Sequence, residues 1–113
     1  MNKHDESEAF CEYYRAAIEL IGSRWTGAIL RAMLSGRSRF HELADTIPGM
    51  SDRMLSERLK ELEKAGVLRR EVFPETPVRI EYVLTDKGLA LHETVIAVSK
   101  WAEEWILEPA GSR

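Results

Sequence analysis

At 113 residues the chain is long enough for one hydrophobic core and too short to divide between two, so it is read as a single cooperative unit. With 44% hydrophobic and 31% charged residues it is neither disordered by composition nor able to supply the roughly 20 apolar residues in a row that a membrane-spanning helix needs. The net charge of −3 argues at first against a nucleic-acid partner, but residues 13–100 hold 14 Lys and Arg against 12 acids, and the deficit lies in the two ends.

The chain opens on a polar, acidic stretch, Met1 to Glu8, where a secretory signal would be basic and then apolar, so a cytoplasmic location is expected. The single cysteine, Cys11, leaves no intrachain disulfide and no cysteine-rich metal site. Tyr14, Ala17, Ile18 and Ile21 follow helical spacing and predict a first helix ending at Gly22. A second is predicted from about Arg24 to Leu34, with Trp25, Ala28, Ile29, Ala32 and Met33 inward and Gly36 just past its end. Ser38 is the expected N-cap of a third helix carrying Phe40, Leu43, Ala44 and Ile47, which Pro48-Gly49 stops.

Only Ile47 to Met50 separate that helix from the next start signal, Ser51, whose hydroxyl can accept from free backbone donors beside Asp52. The fourth helix is expected to reach Ala65, with Leu55, Leu59 and Leu62 on one face, Arg53, Ser56, Glu57 and Lys60 on the other, and Gly66 as its cap. The segment from Gly22 to Lys60 holds seven basic and four acidic residues. After Gly66 the period falls to two, predicting strands over residues 67–73 and 79–84 joined by the proline-stiffened loop 74–78. Thr85 is the expected cap of a last helix to about Leu107, whose Leu91, Val95, Val98, Ala102 and Trp105 alternate steps of four and three, the seam of a helix packed lengthwise on another.

Four helices, a hairpin and a long helix make the expected fold α+β, mainly α: a winged helix-turn-helix with a C-terminal dimerisation helix. A helix fits the major groove of B-form DNA, so Arg53, whose guanidinium can donate twice to a guanine edge, is expected to read a base. Ser51, Ser56 and Lys60 are candidates for base or phosphate contact, Arg39 in the same basic segment is a further DNA-binding candidate, and Arg79 beside the hairpin loop is a candidate for phosphate or minor groove. His4, His41 and His92 are scattered without metal-ligand spacing. With no phosphate loop or nucleophile motif either, the sequence predicts no enzyme, no metal and no cofactor.

The runs Ile21-Gly22-Ser23-Arg24-Trp25-Thr26, Arg39-Phe40-His41-Glu42-Leu43, residues 47–56, residues 74–82, Leu84-Thr85-Asp86-Lys87-Gly88 and Trp101-Ala102 resemble, in order, the motifs of the HxlR-type branch of MarR-like winged-helix regulators. The resemblance spans about residues 11–107 and divides the chain into a polar tail (1–10), a regulator domain (11–109) and a C-terminal tail (110–113). It implies a homodimer joined by the first and last helices, with the fourth helix and wing on a palindromic double-stranded operator, usually as a repressor. Thiol-sensing members of the family carry a cysteine where Cys11 stands, 14 residues before the Trp matched by Trp25, and detect electrophiles or oxidants with it; here Glu12 replaces a frequent Pro. A reactive thiol needs nearby cations or a helix N-terminus. Cys11 is expected at the start of the first helix with Arg15 one turn on, which favours this, and Glu8 and Glu12 oppose it. The remaining alternatives are Cys11 as a packing residue, a regulator answering a noncovalent small ligand, and a winged-helix module that binds only protein.

Overall fold

The structure is a computed structural model that describes residues 3–107, with the side chains described from Glu8 onward. The expected C-terminal tail lies outside the described residues. Helix α1 spans Lys3–Ile21 and so begins within the stretch expected to be a polar tail; Glu and Ala there are good helix formers that extend the apolar segment upstream. It ends at Gly22, where a Cβ would stand 2.6 Å from the Ile18 carbonyl oxygen that accepts from the Gly22 amide.

Helix α2 spans Thr26–Leu34, two residues shorter at its start than expected, because Trp25 adopts a left-handed conformation with φ 77°. The Trp25 carbonyl still accepts from the Ile29 amide, so the corner closes the first turn with its backbone. Helix α3 spans Phe40–Thr46 and helix α4 Asp52–Lys64. Ser51 caps α4 as expected, its hydroxyl accepting from the Met54 amide at 3.1 Å. Ser38 does not cap α3: Arg39 holds that position, and the Glu42 carboxylate reaches back to the Arg39 and Ser38 amides at 2.9 and 3.1 Å.

Strands β1 (Leu68–Phe73) and β2 (Arg79–Leu84) form an antiparallel hairpin in which Leu68 pairs with Leu84 and Phe73 with Arg79. The last helix is divided. Helix α5 (Asp86–Leu89) is capped by Thr85, and after a turn at Ala90-Leu91 helix α6 runs over His92–Trp105. Gly88 explains the division: a Cβ there would lie 2.1 Å from the Val67 carbonyl oxygen, so the chain must press its backbone against the hairpin base before turning away.

The core is built from Ile29, Leu30 and Met33 of α2, Leu43 of α3, Leu55, Leu59 and Leu62 of α4, and Val67 and Leu68 at the hairpin. From α6 only Leu91, just before it, and Val95 pack against this core, and no α6 residue is fully buried. The chain exposes 8391 Å², against about 6300 Å² for a monomer of its mass, and its radius of gyration of 17.0 Å exceeds the ~13 Å of a compact domain of this length. The surplus has a place: Phe10, Tyr13 and Tyr14 on α1, and Val98, Trp101 and Trp105 on α6, all stand mostly in solvent.

Candidate nucleic-acid interface

Helix α4 turns Leu55, Leu59 and Leu62 into the core, and the 3.6-residue period then carries Arg53 and Lys60 to the outer face. The Arg53 side chain is 87% exposed, with one partner, the Glu57 carboxylate at 3.2 Å one turn on. An exposed pair of this spacing is weak and readily exchanged for a phosphate or base. Lys60 is exposed and makes no ion pair among the described residues; Ser56 is half-buried; Ser51 is exposed and holds the cap. The α3–α4 turn rests on Gly49, whose φ of +85° suits glycine, and α3 lies against both α4 and the hairpin.

Ser38 and Glu81 attach the hairpin to this unit. The Tyr82 amide donates to the Ser38 carbonyl at 2.7 Å, and the Ser38 hydroxyl donates to Glu81 Oε1 at 3.1 Å. The sequence analysis missed this link because Ser38 stands where a cap is also expected and Glu81 reads as an ordinary strand charge. The structure gives Arg79 a role that its position beside the loop did not suggest. Its Nη2 and Nε donate to Glu75 at 2.8 and 3.2 Å, its Nη1 pairs with Glu81, and its guanidinium lies 3.8 Å from the Phe73 ring centroid. The Arg79 bond holds the Glu75 carboxyl below its ordinary range, and Glu75 in turn raises Arg79. Arg39, at the N-cap of α3, is exposed and adds to the positive field at Glu42 and Glu75. Glu42 is held low chiefly by the Arg39 amide, then by that of Ser38.

Three of the expected contacts, Ser51, Arg53 and Lys60, are thus presented outward on α4 or at its cap, Arg39 is exposed at the N-cap of α3, and Arg79 is engaged within the wing. The expected interface seam divides in two. Leu91 and Val95 touch the core, Ala102 is half-buried, and Val98 and Trp105 are 61% and 64% exposed. Between the seam and α2 runs an open groove of about 780 Å³, lined by Ile18, Leu30, Ile47 and Val95, with Arg31 and Arg37 as the charged residues among those described.

Cys11 is exposed and lies more than two turns into α1, which removes the helix-terminus contribution expected from the sequence, since that field fades within the first turn. Arg15 is turned toward Glu19, 3.9 Å away. No group of three His, Cys, Asp or Glu is arranged to hold a metal among the described residues, and no described helix is long and apolar enough to cross a membrane.

Comparison with known proteins agrees with this architecture. The model of the HxlR-like helix-turn-helix family matches residues 20–109. The HTH-type transcriptional regulator YvaP of Bacillus subtilis is 51% identical over 96 residues, covering 85% of this chain and 89% of that protein. YodB, an HTH-type transcriptional regulator of the same organism, is 43% identical over 95 residues, 84% of this chain and 85% of its own. The crystal structure of diamide-treated YodB superposes with a TM-score of 0.69 at 44% identity, over 84% of this chain and 93% of that one. The redox regulator HypR in its reduced form gives 0.76 at 34% identity, over 80% and 90%. The order of elements, the helix-turn-helix with its wing and these matches across most of the chain show that the protein belongs to the HxlR-like helix-turn-helix family of transcriptional regulators.

Proposed function

We propose that the protein acts as a homodimer on a palindromic operator, with α4 in the major groove and the hairpin against the flanking backbone, most simply as a repressor. The observation that carries this reading is the outer face of α4, where Arg53 is 87% exposed on a helix whose opposite face is wholly committed to the core. Arg53 reads a base edge; Lys60, Arg39 and the Ser51 end of the helix hold phosphates. Arg79 joins them only after leaving Glu75 and Glu81, so its first role is to shape the wing. The dimer accounts for the surplus surface: the aromatic face of α1 and the outer part of the α6 seam form apolar ground too large for a monomer to expose.

The regulatory input proposed is an electrophile or oxidant acting at Cys11. Its support is the exposure of Cys11 on α1, together with the similarity to YodB, solved after diamide treatment, and to the redox regulator HypR. A second reading is favoured by the groove: its lining is apolar, its charges among the described residues are Arg31 and Arg37, and its volume suits a small organic anion as a noncovalent inducer. Binding of a labelled operator fragment, titrated with salt and with a quinone or diamide in wild type and Cys11→Ser, separates these cases. A salt-dependent specific complex lost only in the wild type supports the thiol route. Loss in both proteins alike removes Cys11 as the sensor, and absence of any salt-dependent complex removes the DNA reading in favour of a protein-binding module.

A further inference from the structure

Not every cation of α4 lies on its outer face. Arg58 lies between Arg53 and Lys60, yet its side chain is only 17% exposed. Its Nε donates to the Arg24 carbonyl at 2.9 Å, 34 positions back in the chain, and its Nη1 donates to Glu61 at 3.1 Å. The acceptor belongs to the four-residue corner joining α1 to α2. At one end of the corner Gly22 leaves no room for a side chain, and at the other stands Trp25 in the left-handed conformation that bulky residues avoid. Such a conformation persists only where its surroundings impose it. Two contacts do so here: the Arg24 guanidinium lies 4.8 Å from the Trp25 ring centroid, and the far edge of the indole reaches the α3–α4 turn, where a Cβ on Gly49 would be 3.6 Å from it.

We infer that Arg58, with the Trp25 corner it closes over, is a positioning element that fixes the recognition helix to the end of α1, and not a ligand of DNA. The corner meets the helix-turn-helix at two places, beside the turn through Trp25 and on α4 through Arg58, so α4 cannot shift against the corner without disturbing the Arg58 bonds. A movement of α1 is therefore passed to α4 by a short, rigid path of backbone and two side chains. The guanidinium suits this place because it offers several donors in a fixed plane, one for a carbonyl and another for a carboxylate, where an ammonium is a single point charge.

The inference rests on α4 being the DNA-reading helix, and the test is built so that the two ideas fail differently. Arg58→Met keeps the aliphatic stem and removes every donor, and Arg58→Lys keeps the charge and loses the fork. Specific-operator and random-sequence affinities are measured across a salt series for both variants and the wild type, with amide hydrogen exchange at Thr26 and Ile29. A positioning role predicts about a tenfold loss on the operator in both variants, unchanged affinity for random DNA, an unchanged salt slope, and faster exchange at the start of α2. A phosphate contact predicts instead that Arg58→Met weakens both DNAs alike and lowers the salt slope by about one, with Arg58→Lys close to wild type; that result, or exchange at Thr26 and Ile29 left unchanged, overturns the inference. If Arg58→Met does not fold, Arg58→Lys alone decides, since it retains the charge a phosphate needs. A wild type with no salt-dependent DNA binding rejects the reading of α4 instead.

Discussion

Arg53 and Arg79 carry the same guanidinium in opposite electrostatic situations, and their substitutions should be told apart by the kind of DNA they affect. Arg53→Ala removes an exposed side chain whose single acidic partner is weakly held, so it should cost roughly 1–3 kcal/mol on the operator and flatten preference at one base pair per half-site, as read by competition with single-base variants. Equal loss on operator and random DNA would remove Arg53 as a reader. Glu75→Gln should act in the other direction: it takes away the carboxylate that occupies two nitrogens of Arg79, leaves Glu81 as that guanidinium's one acidic partner, makes the wing more positive by one charge and strengthens binding to all sequences. The same pair predicts a pH dependence. Because Arg79 depresses the Glu75 carboxyl, the wing's ion pair is present above the ordinary carboxylate range and is lost as pH falls through the lowered Glu75 value. A carboxyl-carbon NMR titration should place Glu75 below 4.5, and Arg79→Gln should return it to the ordinary range.

Among the elements, α4 and α6 show two uses of the same apolar spacing. In α4 the stripe Leu55, Leu59, Leu62 is closed over by its own chain, so Leu55→Ala should cost about 2–5 kcal/mol in denaturant unfolding through the cavity it leaves. In α6 the stripe starts on the core at Leu91 and Val95 and continues into solvent at Val98 and Trp105. A charge at its exposed end should leave the monomer folded and break only what covers it. Val98→Glu is therefore expected to sediment as a monomer with little loss of helical circular dichroism. A variant that remained a dimer would place the interface elsewhere. The spacing alone does not distinguish these uses, because a helix presents the same stripe to its own core and to a second chain.

For the whole molecule, the surplus of exposed surface and the exposed aromatic residues of α1 and α6 are what the proposed dimer would cover. In a symmetric dimer the two α4 helices must meet successive major grooves, with half-site centres roughly 34 Å apart; inserting five base pairs at the operator centre should turn one half-site to the far side and abolish tight binding. In the proposed dimer, a movement at an α1 interface would reach α4 through the α1–α2 corner and alter that spacing.

The residues alone were sufficient for the order of the elements, the Ser51 cap, the buried leucine stripe of α4, the hairpin and the family, because each rests on local spacing or on motifs read in sequence. They also marked Arg53 and Lys60 as outward cations, since one buried face of a helix defines the other. Tertiary structure decided where each polar group spends its bonds. Ser38 looked like a cap and instead ties α3 to the wing, because Glu42 satisfies the free amides and Glu81 approaches from 43 residues away. The last helix divides because Gly88 meets the Val67 carbonyl, α1 extends upstream so that Cys11 sits within it, and Arg58 and Arg79 are engaged by partners that local periodicity does not foresee. Periodicity assigns a residue to a face; which donor meets which acceptor across that face depends on chain segments brought together only by folding, and the uses of Arg53, Arg58 and Arg79 divide on that.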